Sequence, residues 1–413
     1  MKIHPAYRFL WKPLIKASFY SAVIASLFPI SFSHADSAPP LNRPFRFYGF
    51  LLPSFTYGTQ EVESFSRQNA VAYTAVSNPV LSSSPERSTL TLQLEQSRFG
   101  FTIGEGSPTS GTLEFDFIDT SKSQAWVNAY PRLRRAFIEY RLDPENKIQM
   151  GQDWDIFSPL MPHTYNLVGH YFESGDVGFM RQQLVWMNQS QEHRQWAIAL
   201  GMPGSNPTPQ FSSKEISLTP TLALRLTEMH SGNRYGFSIL GTSLLVNKET
   251  GQRLFAGGVN LFLEHRMGAF DLRSELYLGK NLNNLGTHGL SYGEVGHDLA
   301  EWGGWVTGLY HVNETFGIFG GMGISKIIHP EKLLPSYTRD ATTGVASLST
   351  HGPGIEQNGT LRLGLEQALK ADLKAYIEGA YLNTIHHLAS SDQAGVNPRR
   401  EAVITQVGMM YTF

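Results

Sequence analysis

Residues 403–413 at the end of the chain alternate apolar and polar side chains with a period of two. One face carries Val403, Val407, Met409, Tyr411 and Phe413, and the other carries Gln406, Gly408 and Thr412. Side chains two residues apart share one face of a strand, and a tilted strand of about ten residues crosses a bilayer. The segment therefore predicts a transmembrane β-strand with a lipid face and a water-exposed face.

The first 35 residues have the three parts of a secretory signal peptide. Four basic residues and no acid come first, residues 17–32 are mostly apolar, and Ser33-His34-Ala35 is a small-x-small cleavage site. An uncleaved helical anchor is the alternative, but the apolar stretch is short for one and is interrupted by serines. We expect cleavage after Ala35 and export of residues 36–413.

The composition of the chain fits a barrel whose outer surface faces lipid. Charged residues make up 16% of the chain, against about 25% in soluble domains, and glycine is abundant at 39 residues. The chain has no cysteine, which excludes disulfides and zinc–thiolate sites. We find no linker or compositional break, so one large barrel over residues 36–413 explains the length better than several soluble domains.

Two-faced segments recur along the chain about sixteen times, separated alternately by short turns and long loops. Fourteen or eighteen strands are the alternatives, since bacterial barrels have even strand numbers. The alternation predicts an all-β, antiparallel transmembrane barrel with both termini in the periplasm and long extracellular loops. One long connection is missing near residues 248–251. The apolar faces change phase at residues 95–97, which predicts a β-bulge there.

The loop predicted at residues 155–176 is the candidate constriction, because a loop folded into a barrel narrows the pore and filters ions. Its acids are Asp155, Glu173 and Asp176. Arginines on the water-exposed faces of neighbouring strands would form the facing basic wall, and these are Arg98, Arg135, Arg141 and Arg181. A basic wall opposite a carboxylate loop would set a transverse field that attracts anions. The alternative is that these arginines only neutralise acids of the wall.

Other chemical signals are weak. His386 and His387 lack a third ligand for a metal, so we predict no metal and no cofactor. Residues 320–323, Gly-Gly-Met-Gly, lie within a strand and have no following helix, so they are not a nucleotide loop. These small residues indicate close contact with a neighbouring subunit or a packed lumen. No feature indicates binding of nucleic acid.

Three stretches resemble trimeric porins. Residues 96–101, QSRFGF, are similar to the second strand of that family. Residues 132–140 and 150–157 are similar to the strand pair that leads into its constriction loop. Within the family the likeness is greatest to the DcaP-like porins, which are linked to uptake of small dicarboxylates. The resemblance implies a homotrimer, with Arg98, Arg135 and Arg141 on the pore wall and the loop from Asp155 in the eyelet. The terminal aromatic strand also resembles the assembly signal of outer-membrane barrels.

The sequence thus predicts an outer-membrane porin of a Gram-negative bacterium. We expect passive diffusion of small hydrophilic solutes, a preference for anions that extends to small carboxylates, and contact with outer-membrane lipid. One alternative is a barrel enzyme such as a lipase or protease, although no Ser-His-Asp arrangement is apparent. The other is an adhesin or structural barrel with a closed lumen. The natural solute, the pore size and the ion selectivity do not follow from the sequence.

Overall fold

The computed structural model describes most of the chain from residue 44 to residue 413. The described ranges are 44–60, 62–64, 67–71, 88–117, 131–167, 169, 171–191, 193–202, 219–247, 251–285, 287, 289–290, 298–333, 337–339, 346–348, 354–387 and 399–413. The predicted signal peptide lies outside these residues.

Sixteen antiparallel strands form one continuous sheet. The first half of the barrel consists of β1 (Phe45–Leu51 and Ser54–Gly58), β2 (Thr89–Gln93 and Arg98–Ile103), β3 (Thr109–Asp116), β4 (Arg132–Arg141), β5 (Asn146–Trp154), β6 (Met180–Gln191), β7 (Arg194–Gly201) and β8 (Thr221–His230). The second half consists of β9 (Asn233–Asn247), β10 (Gln252–Met267), β11 (Phe270–Lys280), β12 (Ala300–His311), β13 (Phe316–Ile327), β14 (Ile355–Lys370), β15 (Leu373–His386) and β16 (Arg399–Thr412).

The sheet closes on itself through β1. This strand pairs with β2 on one side and with β16 on the other, and every other strand pairs with its neighbours in the chain. Closure leaves no free sheet edge, which satisfies the backbone hydrogen bonds of a structure embedded in lipid. The predicted all-β barrel with about sixteen strands is confirmed.

No helix in the described part of the chain is long and apolar enough to cross a membrane.

Side chains alternate between the two surfaces of the barrel as the sequence predicted. On β14, Leu361 and Leu363 are exposed on the outer surface, whereas Arg362 and Glu366 are buried inside. On β16, Val407 is exposed and Gln406 is buried. Apolar side chains on the outside and polar side chains within are the arrangement of a barrel that crosses a bilayer.

The strands β1 and β2 are each interrupted, and the outer face of β2 changes phase at its break. β1 breaks at Pro53, which has no backbone N–H for the ladder. β2 breaks after Gln93, where Ser97 N donates to the carbonyl oxygen of Leu94 at 3.0 Å and closes a turn. The Ser97 hydroxyl accepts a hydrogen bond from Leu52 N at 3.0 Å, so the two breaks lie side by side. This irregularity confirms the bulge predicted at residues 95–97.

Short and long connections alternate around the barrel, which therefore has a turn end and a loop end. The turns include Ser231-Gly232 and Ala371-Asp372, whereas the loop after β5 has 25 residues, 155–179. β9 ends at Asn247 and β10 begins at Gln252, so the missing long connection is also confirmed. Beyond the barrel, the loops carry two small hairpins, Val62–Ser64 with Arg67–Val71 and Tyr337–Arg339 with Ala346–Leu348.

Phe413 closes the seam of the barrel at the turn end. Its backbone exchanges two hydrogen bonds with Gly49 on β1, at 3.0 and 3.1 Å. Its ring lies 5.0 Å from that of Phe47 and 5.9 Å from that of Phe99, measured between centroids, on the outer surface. The last residue thus connects β16, β1 and β2 through both backbone and side chain.

Deletion of Phe413 is expected to slow assembly of the barrel and leave protease-sensitive chain in the periplasm. The deletion removes two backbone hydrogen bonds and the aromatic contacts, together worth about 3 kcal/mol. Heat-modifiable migration on gels and protease sensitivity of the exported chain measure the effect. Phe413→Tyr, which keeps the contacts, is the control. A normal yield of folded barrel from the deletion would contradict the role of this residue.

Candidate functional site

The loop between β5 and β6, residues 155–179, enters the barrel and crosses its interior. Its first part lies on β9, β10 and β11. The Phe157 carbonyl oxygen accepts a hydrogen bond from Asn260 Nδ2 at 2.9 Å and one from the Ser238 hydroxyl. Glu275 Oε1 accepts a hydrogen bond from Leu160 N at 2.9 Å. We refer to this segment as the constriction loop.

The tip of the constriction loop is anchored by carboxylates on β14 and β15. Glu378 accepts hydrogen bonds from Thr164 Oγ1 at 2.6 Å and from Tyr165 N at 2.7 Å. Glu366 accepts from Tyr165 Oη at 3.0 Å and lies 2.8 Å from His163 Nε2. The Tyr165 ring also stacks on Tyr376, with centroids 3.9 Å apart. Hydrogen bonds to charged groups are the stronger class, so the tip is held firmly.

Past the tip, Leu167 N donates a hydrogen bond to Gln96 Oε1 at 2.9 Å. Gln96 lies in the break of β2, which is separated from β14 and β15 by the seam between β1 and β16. The constriction loop therefore reaches from β9 to β2 across the barrel, as the sequence analysis expected of a constriction.

Glycines let the returning half of the loop lie against β12 and β13. Gly175 has a φ of +111°, a conformation that side chains rarely adopt, and packs on the Gly304 carbonyl. Gly323 faces inward, and a Cβ there would overlap the Ser174 carbonyl oxygen and approach the Tyr171 ring to 2.8 Å. Of the two explanations for the small residues at 320–323, the structure thus shows the packed lumen at Gly323.

All three loop acids named by the sequence lie between the loop and the wall. Asp155, Glu173 and Asp176 are each exposed by 3% or less. Asp155 accepts a hydrogen bond from Phe157 N at 3.1 Å, and its Oδ2 lies 3.5 Å from Arg181 Nη2. Burial raises the pKa of Asp155, against the opposing effect of Arg181. The charge of Asp155 is therefore directed at the wall and not at the lumen.

Asp176 bonds to the loop itself, through the Ser158 hydroxyl at 3.2 Å and Gly178 N at 3.1 Å. Burial is the largest cause of a pKa well above the usual range for Asp176, and the nearby charge of Glu275 adds to it. A carboxyl group with a raised pKa carries less negative charge near neutral pH. The acids of the constriction loop thus contribute little to the field in the channel.

The basic wall lies on β2 and β4, around three carboxylates of β3 and β5. Arg132 binds Asp116 through two hydrogen bonds, at 2.7 and 2.8 Å. Arg135 binds Asp153 in the same manner, at 2.6 and 3.2 Å. Each planar guanidinium fits the two oxygens of a carboxylate, which fixes its position on the wall.

Arg98 and Arg134 share the remaining carboxylate. Arg134 Nε lies 2.9 Å from Glu114 Oε1, and Arg98 Nε lies 3.5 Å from the same oxygen. Arg134 also contacts Asp116 at 2.8 Å. Four guanidinium groups therefore face three carboxylates, which leaves one excess positive charge. We refer to these four arginines as the eyelet cluster.

Two members of the eyelet cluster, Arg132 and Arg134, were missed by the sequence analysis. Glu114 pairs with Arg135 and Phe115 with Leu133, so Arg134 is an extra residue in a bulge. The bulge turns both Arg134 and Arg135 into the barrel, which simple alternation forbids. The acids Glu114 and Asp116, on the polar face of the neighbouring strand, were the available signal.

The structure separates the other two predicted arginines from the eyelet cluster. Arg181 is buried behind the constriction loop, where Nη1 donates to the carbonyl oxygens of Met202 and Leu285 at 2.9 and 3.0 Å. Arg141 is the last residue of β4, at the turn end. Six residues separate it from Arg135, or about 20 Å along a strand.

A second loop also folds inward, and no sequence signal distinguished it. Leu282 and Leu285, which follow β11, are fully buried. They pack with Ile156, Phe157 and Val177 of the constriction loop and with apolar wall residues of β6 to β10. This part of the interior is filled with apolar side chains, so the water-filled path lies nearer to the eyelet cluster.

His387 Nδ1 lies 2.7 Å from Glu356 Oε1. Among the residues that the structure describes, no group of three or more His, Cys, Asp or Glu side chains could hold a metal ion.

The fold is a closed sixteen-stranded antiparallel barrel of the kind found in the outer membranes of Gram-negative bacteria. No family model and no curated protein matches the chain. Several solved structures are similar to the chain. The outer-membrane channel DcaP of Acinetobacter baumannii has a TM-score of 0.67 at 12% identity, covering 91% of this chain and 99% of that one. At this identity the similarity establishes the fold, which agrees with the DcaP-like resemblance of the strand sequences.

Two further structures share the fold. The anion-selective porin from Comamonas acidovorans has a TM-score of 0.55 at 10% identity, over 90% of this chain and 100% of that one. OprB of Pseudomonas putida has a TM-score of 0.54 at 9% identity, over 89% and 94%.

Replacement of Glu378 by Ala is expected to release the tip of the constriction loop and raise single-channel conductance. Two hydrogen bonds from the loop to this carboxylate are lost, and the buried Arg362, 3.1 Å away, loses its acid. The loop bonds alone are worth about 3 kcal/mol or more. Glu401→Ala is the control, because Glu401 lies on the outer surface of the neighbouring strand. Equal conductance of both variants and the wild type would show that this loop does not limit the pore.

Proposed function

We propose that this protein is an outer-membrane porin through which small hydrophilic solutes diffuse passively, with a preference for anions. The observation that carries the proposal is the eyelet cluster, whose four guanidinium groups exceed the three carboxylates they bind. What a permeating ion meets is the local field at the narrowest point. Charges more than about 10 Å away are screened at 0.1 M salt, so the net charge of −6 on residues 36–413 has little influence.

The loop acids strengthen this argument by their position. Asp155 is paired with Arg181, and Asp176 is buried against the wall. The loop turns Met161, His163 and Leu167 partly toward the lumen, and none of these carries a carboxylate. The field across the eyelet is therefore set by the arginine wall, and a carboxylate or phosphate group is the complementary ligand.

Partial exposure of the eyelet cluster supports an open pore over a closed structural barrel. The side chains of Arg98, Arg132 and Arg135 remain 19%, 28% and 29% exposed, although they lie deep within the barrel. Water reaches these groups from the lumen. The anion-selective porin from Comamonas acidovorans, which shares the fold, supports the same function. Small carboxylates are the solutes we propose, because the three partly exposed guanidinium groups fit such ligands.

Replacing Arg98 and Arg135 together by Ala is expected to shift the pore toward cations. The cluster then holds two guanidinium groups and three carboxylates, so its excess charge changes sign. At about 10 Å in water each charge contributes about 0.4 kcal/mol, and the two lost charges act with opposite sign on anions and cations. The anion-to-cation permeability ratio is therefore expected to fall by roughly an order of magnitude.

The zero-current potential across a tenfold KCl gradient measures this ratio. Arg194→Ala with Lys326→Ala is the matched control, because both of these side chains point away from the lumen. A wild type that already prefers cations, or a double variant that does not shift, would show that the arginines are only structural partners in the wall.

We also propose a homotrimer that associates through the outer surface of β1, β2 and β16. Aromatic rings form a contiguous outward patch there, with Phe45 lying 5.6 Å and Phe47 5.2 Å from Phe101 between centroids. Phe45 is 61% exposed. A large exposed aromatic patch is typical of an interaction surface.

Phe45→Lys is expected to convert the oligomer to monomers, because the charge would be buried in the interface. Crosslinking in detergent and migration of unheated protein on gels measure the change. Leu261→Lys is the control, since Leu261 is similarly exposed, at 55%, on the outer surface of β10, on the other side of the barrel. Loss of the oligomer in both variants, or in neither, would place the interface elsewhere.

A further inference from the structure

A second set of arginines lies across the barrel from the eyelet cluster. Arg225 on β8, Arg234 on β9 and Arg273 on β11 share the inner surface with Glu264 on β10. Arg234 follows the turn Ser231-Gly232 by two residues, so the set belongs to the half of the barrel near the turn end. We refer to these three arginines as the cation row.

One carboxylate, that of Glu264, forms ion pairs with two members of the cation row. Arg234 Nη2 lies 2.8 Å from Glu264 Oε2, and Arg273 Nε lies 2.9 Å from Glu264 Oε1. The side chains of Arg234, Arg273 and Glu264 remain open to the lumen, with exposures of 38%, 38% and 28%. The row therefore holds two positive charges more than its single acid balances.

The side chain of Arg225 makes no hydrogen bond and no ion pair with any residue in the described ranges. The charges that act on it are those of Arg234, Asp155 and Glu275. Both acids are engaged elsewhere, Asp155 with Arg181 and Glu275 with the backbone of Leu160. A partly buried guanidinium without a partner is costly, and a bound anion is the direct way to compensate it.

The constriction loop passes directly over the cation row. Arg273 Nη1 donates to the carbonyl oxygen of Met161 at 3.2 Å, and Asp155 at the start of the loop is among the charges that act on Arg225. An anion that has passed the loop toward the turn end thus meets these arginines. It reaches them on the wall opposite the eyelet cluster, after losing contact with that cluster.

We propose that Arg225, with Arg234 and Arg273, forms a second binding station for small anions on the turn-end side of the constriction loop. The ligand class is carboxylate or phosphate, which a guanidinium binds through paired N–H donors. This inference rests on the proposed function, and it adds a second, weaker site along the same path. Two stations of moderate affinity allow binding without trapping, which conduction requires.

The test uses inorganic phosphate as a blocker of chloride current through the purified protein in planar bilayers. Phosphate is added to one chamber and then to the other. Arg225→Gln is expected to raise the half-blocking concentration from the turn-end chamber by about fivefold, the effect of one charge at about 4 Å in water. The value from the loop-end chamber should change less, because phosphate from that side must first pass the eyelet cluster.

Two variants make the result specific. Lys326→Gln removes one positive charge from the outer surface and should change neither value. Arg225→Lys keeps the charge and should keep most of the block, which separates charge from packing. Heat-modifiable migration on gels checks that each variant is folded. Because Arg225 binds no described neighbour, its replacement should not impair folding.

Three outcomes overturn the station, namely no phosphate block of the wild type, no effect of Arg225→Gln, or an equal effect from both chambers. The zero-current potential measured in the same membranes tests the proposed function separately. A cation-preferring wild type with one-sided block that depends on Arg225 would refute the anion preference of the pore and leave the second station in place.

Discussion

Hydrogen bonds from the constriction loop to wall carboxylates are the interactions on which the channel depends. Glu275, Glu366 and Glu378 project from three different strands and accept donors from the loop backbone and hydroxyls. Each of these acids is buried and receives more than one hydrogen bond. A rigid wall thus positions a loop that has no helix or named strand among its described residues, which supports a defined pore instead of a variable one.

The same interactions remove negative charge from the lumen. The three wall acids are turned to the loop. Of the loop acids, Asp155 faces Arg181 of the wall, and Asp176 accepts hydrogen bonds within the loop. Carboxylates that hold the constriction together therefore do not face the path of a solute. The arginines are different, because guanidinium groups on β2 and β4 bind their acids sideways along the wall and keep part of their surface exposed. Structural pairing and an anion-attracting field are therefore compatible in one cluster, although the sequence presented them as alternatives.

Much of the fold follows from the sequence, because barrel strands have a strict period of two and opposite solvents on their two faces. The irregularity at residues 95–97 could be predicted because the apolar positions before it and after it, six residues in all, lie in opposite phases of the alternation. Strand ends were less readable. β14 begins at Ile355, six residues before its first outward-facing leucine, Leu361, because its first residues pair with β15 without an apolar outer face.

The site was only partly readable, for two physical reasons. Period-two alternation predicts which face Arg135 occupies, but it fails at Arg134, where one extra residue in the strand turns two successive arginines inward. Alternation also does not show how far along the barrel axis a residue lies. Arg141 shares a face with Arg135 yet lies at the far end of the strand, outside the eyelet. The loop acids were named correctly as residues of the inserted loop, but their direction depends on contacts with strands more than 100 residues away, such as that of Ser158 with Glu275.

The interior of the barrel has a part filled with apolar side chains and a part that remains open. This division determines the width of the pore more than the number of strands does. Leu282 and Leu285 from one loop and Phe157 from another fill the space inside β6 to β10 with apolar side chains. Solutes are confined to the remaining space, between the constriction loop and the eyelet cluster. A sixteen-stranded barrel has room for a wide aqueous channel. Here two inserted loops occupy part of that room, so every permeating solute passes within reach of fixed guanidinium groups. In the proposed channel, selectivity therefore depends on loops that exclude space as much as on the charges that line what remains.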